Sequence, residues 1–139
     1  MNGAGSLGEQ GEPPTLRFRE GAEGSYEELA GYSRAVRSGS RICVSGTTAR
    51  ETALAEDTYG QALDCFGRVI EAVEALGGTR GSIVRTRLYL APGADWRQAS
   101  AAHRTLLGDV MPANTLVFVS SLVGQRLLVE VEADAEVPE

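Results

Sequence analysis

Two stretches near the C-terminus hold the residues best suited to chemistry. PANTLVFV, residues 112–119, opens around an uncharged Asn114, and LLVEVEADAEV, residues 127–137, sets Glu130, Glu132 and Asp134 at alternate positions. Alternate residues of an extended strand share a face, so the three acids line one side. A carboxylate there can orient a water molecule or take its proton, whereas an amide hydrogen-bonds without charge. His103, the single histidine, has an ordinary pKa near neutrality and suits proton transfer. It also falls in an apolar helical stripe, where a histidine at the edge of the core is the commoner arrangement. Arg85 and Arg87 alternate in IVRTRLYL, residues 83–90, and could pair with the acids across neighbouring strands.

The residue inventory excludes several chemistries. All 13 basic residues are arginine. Without lysine there is no Schiff-base amine, no anchor for pyridoxal and no P-loop cation. One histidine and two separated cysteines, Cys43 and Cys65, are too few for a zinc site within one subunit. Both cysteines are read as reduced, small, buried side chains. A formal charge of −6 opposes a nucleic-acid partner, because phosphate binding needs clustered basic groups. No apolar run approaches the roughly 18 residues of a membrane span, and residues 1–14 lack the pattern of a signal peptide. The expectation is a cytoplasmic protein with neither a membrane nor a nucleic-acid partner. A length of 139 residues suits one domain.

The elements that must position these residues follow from hydrophobic periodicity. Residues 1–14, rich in Gly, Glu and Pro, are expected to be a flexible tail before a single domain over 15–139. YSRAVRSGSRICVSG alternates on both sides of Ser38-Gly39-Ser40 and predicts a hairpin. From Asp57 the period changes. Leu63, Phe66, Ile70 and Val73 predict an amphipathic helix, with Thr58 and Gln61 at capping-box spacing and Gly77-Gly78 as its end. Residues 83–90 alternate again, which puts Val84, Thr86, Leu88 and Leu90 on one face. Trp96, Ala99, His103 and Leu106 predict a second helix, capped by Asp95 and ending near Gly108. Two last strands, about 115–121 and 127–136, are expected to form a hairpin around Gly124. The whole reads as an α+β fold, a sheet covered on one face by two helices. Its other face mixes charged and apolar side chains and favours self-association.

The blocks GYSRAVRSGSRICVSGTTA, GQALDCFGRVIEAVEALGG, SIVRTRLYLAPGADW, PANTLVFVSSL and LLVEVEADA, in that order over about residues 26–136, resemble the RidA family, also called YjgF-like. The resemblance implies a chorismate-mutase-like α+β domain with a mixed sheet. It also implies a homotrimer around a central barrel, with small-molecule clefts at the subunit interfaces. Members with the full motif hydrolyse reactive enamines and imines, such as 2-aminoacrylate, to the keto acid and ammonia. They use neither metal nor organic cofactor.

By the same resemblance, Tyr32 and Ser45 match polar cleft-lining positions and Glu130 matches the glutamate that positions the attacking water. Asn114 stands where active members carry the arginine that grips the substrate carboxylate. A hydrogen bond to a charged group is worth about 1.5–3 kcal/mol, so its loss weakens binding of a free 2-imino acid roughly ten- to a hundredfold. A different substrate is implied. Ser100 and His103 match the cleft-side positions of the second helix, with His103 as a candidate proton carrier. Arg87 is a candidate for the missing cation. The alternative to an enamine or imine hydrolase is a non-catalytic metabolite-binding or pathway-accessory protein that keeps the trimeric cleft.

Overall fold

The computed structural model describes residues 14–138, so the expected tail lies outside the described residues except for Pro14, as does Glu139. A short strand that patterning did not indicate, β1 (Thr15–Phe18), precedes a short helix, α1 (Tyr26–Ala30). Ser25 caps that helix by accepting from the Glu28 amide, and Gly31 ends it at a φ of 76°. The hairpin then forms as expected from β2 (Ala35–Ser38) and β3 (Arg41–Thr48). Gly39 supplies the positive φ, 63°, that the first central position of a two-residue turn requires. β1 pairs with the outer edge of β2.

The first long helix is α2 (Thr58–Ala75), and its start differs from the expected capping box. Asp57 is the cap, accepting from the Gly60 amide at 2.9 Å. Gln61 is instead fully buried, and its side chain binds backbone. Its Nε2 donates to Leu54 O at 3.1 Å and to Arg126 O at 2.9 Å, while its Oε1 accepts from the Leu128 amide. A buried amide must find such partners, and these fasten the loop before the last strand to the helix. β4 (Ile83–Leu90) and α3 (Trp96–Leu107) follow, the latter capped by Asp95 as expected.

The last two strands do not form a hairpin. β5 (Ala113–Phe118) lies parallel to β4 at the sheet edge, whereas β6 (Val129–Glu136) is inserted between β3 and β4, antiparallel to both. The sheet order is β1-β2-β3-β6-β4-β5. Burial explains the insertion. Val129, Val131, Ala133 and Ala135 are all buried beneath α2, a central position that β5 could not fill, since only Leu116 of β5 is partly covered. On the other face β6 meets basic residues on both sides. Arg87 lies 3.3 Å from Asp134 and 3.9 Å from Glu132, and Arg41 lies 3.8 Å from Asp134.

Phe66, Val69 and Val73 of α2 and Ala99, Ala102 and Leu107 of α3 close the core over Ile42, Val44, Leu88 and Leu90. Two further expectations fail. Val84 is exposed and Ile83 is buried, because the register of β4 against β6 slips between Ile83 and Arg85 and moves one residue out of alternation. Cys43 is exposed on the uncovered face, and only Cys65 is a buried thiol, its pKa pushed up to about 12 by burial.

Candidate functional site

The uncovered face bends at β3. Its pairing with β6 shifts register between Val44 and Thr47, and the bulge presents Gly46 to Glu130. A Cβ at position 46 would collide with Glu130 Oε2, so glycine is what lets the carboxylate lie against the backbone. Glu130 faces a cavity of about 730 Å³, walled by Tyr26, Leu29, Tyr32, Arg34 and Arg68 among others. Burial pushes the Glu130 carboxyl above its ordinary pKa; the Arg34 charge opposes that rise and Glu132 adds to it. Such a carboxylate exchanges protons more readily near neutrality than an exposed one.

Tyr32 lies on the cavity wall. Ser45 is not among the lining residues. Its hydroxyl donates to Ser33 O at 2.7 Å and its amide to Arg34 O at 2.9 Å, which fixes the segment carrying Tyr32 and Arg34. Arg34, unmarked by any sequence pattern, is only 8% exposed. Its Nη2 donates to Gly46 O at 3.0 Å, to Ser45 O and to Thr47 Oγ1, so the guanidinium holds the bulge. Burial, and the like charge of Arg68, lower its pKa.

A second group occupies the helix-covered side. His103 Nε2 lies 2.8 Å from Thr86 Oγ1, and that hydroxyl donates to Asn114 Oδ1 at 2.9 Å. With its one proton given to Asn114, Thr86 accepts from His103, which places the imidazole hydrogen on Nε2. The ring meets Phe66 edge-on with centroids 5.2 Å apart, and burial lowers its pKa, favouring the neutral imidazole. Ser100 is half-buried one turn earlier on α3. Arg87 is held by Asp134 and Glu132.

One chain therefore brings Glu130 and Tyr32 together on one face of the sheet and Asn114 and His103 together on the other. Sequence reasoning missed Arg34 and Thr86. Thr86 left a signal: a polar residue on the same face as Leu88 and Leu90 must find a partner when buried. Arg34 left none, since its role depends on a bulge that alternation does not reveal. Among the described residues no group of three His, Cys, Asp or Glu is arranged to hold a metal ion, and no helix is long and apolar enough to cross a membrane.

Comparison with known proteins gives concordant matches. The family model described as Endoribonuclease L-PSP covers residues 24–137. An uncharacterised protein of Streptomyces coelicolor is 37% identical over 113 residues, 79% of this chain and 84% of its own length. A RutC family protein of Pyrococcus abyssi is 27% identical over 81% of this chain and 91% of its own. Among solved structures, a member of the YjgF/YER057c/UK114 family from Mycobacterium tuberculosis superposes with a TM-score of 0.81 at 35% identity, covering 89% of this chain and all of that one.

Proposed function

Because the chain belongs to the Endoribonuclease L-PSP family, that of the YjgF and RidA proteins, we propose that it hydrolyses a small reactive enamine or imine in a cleft shared between subunits of a homotrimer. The observation that carries this reading is Glu130, a half-buried carboxylate with a raised pKa, lying against Gly46 at the wall of a cavity. Glu130 takes a proton from water as the oxygen adds to the C=N carbon, and a proton passes to nitrogen. The carbinolamine then collapses to the carbonyl and ammonia. An enamine enters the same path after protonation at carbon.

The division of the candidate residues supports a shared cleft. Asn114, Ser100 and His103 line it from a second copy, opposite Glu130 and Tyr32. β5 supports the same reading: it is an edge strand whose Val117 and Phe118 are 41% and 53% exposed, a combination that invites pairing or burial. Asn114 already accepts from Thr86 and carries no charge, so the substrate is other than a free 2-imino acid held at β5. Arg87 remains with its two acids.

The test is ammonia release from a panel of imines and enamines generated in place, measured against buffer. Turnover of at least one panel member is expected, with free 2-imino acids poorest, and Asn114→Arg should raise their hydrolysis. No turnover above buffer by either protein overturns the reading. It would favour the alternative, a metabolite-binding protein, for which the uncharged Asn114 is the supporting observation.

A further inference from the structure

Arg34 is a buried cation with no carboxylate paired to it, although Glu27 and Glu20 lie near enough to favour its charge. Among the described residues no carboxylate lies within 4.0 Å of its guanidinium, although three glutamates line the same cavity. Glu20 is taken by Arg68 at 3.1 Å, and Glu27 lies 3.9 Å from Arg19 and accepts from the Glu20 amide. Glu130 is close enough to feel the Arg34 charge but not to pair with it. Burying an unpaired charge is costly, and proteins leave one only where something else compensates it.

The geometry of the guanidinium indicates where that compensation comes from. All its hydrogen bonds, to Ser45 O, Gly46 O and Thr47 Oγ1, come from Nη2. Nη1 and Nε have no partner among the described residues, yet the one buried side-chain nitrogen left without a partner there is Arg68 Nε. Nη1 and Nε of Arg34 are therefore not sealed from the cavity; they lie on different edges of the planar group, so each can give a carboxylate oxygen one charge-assisted hydrogen bond. Arg68, also on the cavity wall, adds positive potential that its partner Glu20 partly offsets. The rest of the wall includes exposed apolar surface from Tyr26, Leu29 and Val123.

We infer that Arg34 is the anion anchor of this chain, seating the carboxylate of a small monocarboxylic ligand whose apolar body lies against Tyr26, Leu29 and Val123. The cation absent at position 114 is thus supplied from the bulge beside Glu130 rather than from β5. This rests on the cleft reading above only in placing the ligand in the same cavity. An apolar body between the charged group and the reacting carbon distinguishes this ligand class from a free 2-imino acid.

The experiment compares isobutyrate with its neutral isostere isobutyramide on the full chain, by calorimetry and by the Nε–Hε resonances of its arginines. The acid should bind roughly ten- to a hundredfold more tightly, the range expected for a charge-assisted hydrogen bond, and should shift the Arg34 resonance. Arg34→Gln should bring acid and amide to equal affinity. Should that variant fail to fold, the Arg34 resonance of the unaltered protein still decides. Equal affinities, no binding of the acid at millimolar concentration, or shifts elsewhere with Arg34 unmoved would overturn the anchor. Imine turnover without any preference for the acid would remove the anchor and leave the hydrolase; acid binding at Arg34 without turnover would do the reverse.

Discussion

At the scale of single residues, Glu130 is the group whose position costs the molecule stability. Burial raises its pKa, so the native state holds the proton more tightly than the unfolded chain does. The stability linked to that proton is complete below the ordinary value of 4.5 and is lost as pH rises through the raised native value. At neutral pH the ionised carboxylate is therefore a liability, placed where the proposed reaction needs it. Glu130→Gln is expected to be more stable than the unaltered protein at pH 7, with the difference closing as pH falls below the carboxylate range. Urea unfolding at several pH values measures this, and a difference independent of pH would contradict it.

At the scale of elements, α3, β4 and β5 are joined by one chain of hydrogen bonds, from His103 through Thr86 to Asn114. Thr86→Val keeps the shape and removes both bonds, leaving the His103 donor without its partner. A loss of about 1–3 kcal/mol is expected, the cost of an unsatisfied buried group, and urea titration reads it. A loss within error would mean that the imidazole turns to solvent at no cost. The two long helices, the first hairpin and the extent of β4 were legible in the sequence because their patterns are local, as Leu63, Phe66, Ile70 and Val73 show for α2, whereas the five-residue α1 is too short to leave a period. The place of β6 was not. Its alternation says which face of Val131 and Glu132 is buried, but not that β3 and β4 are its neighbours, since strand pairing is non-local. The site divides in the same way. Glu130, Tyr32 and Asn114 were marked by the motifs they sit in, whereas Arg34 became visible only once the register shift at Ser45-Gly46 turned three acceptors toward it.

At the scale of the whole molecule, a single chain leaves the candidate residues on two faces of one sheet and an apolar edge at β5 uncovered. In the proposed trimer, association of three copies would bring the two groups to a common cleft and cover that edge. Sedimentation should therefore give three times the chain mass of 14.7 kDa, and Val117→Asp, which buries a charge at the edge, should lower it. A monomer at micromolar concentration would remove the shared cleft, although the fold of each chain would stand. The central claim, that Glu130 activates water in that cleft, is tested most directly by kcat of Glu130→Gln on the best imine of the panel. A fall of roughly a hundred- to ten-thousandfold with the assembly intact is the predicted result, the usual contribution of a positioned general base. An unchanged kcat would contradict it.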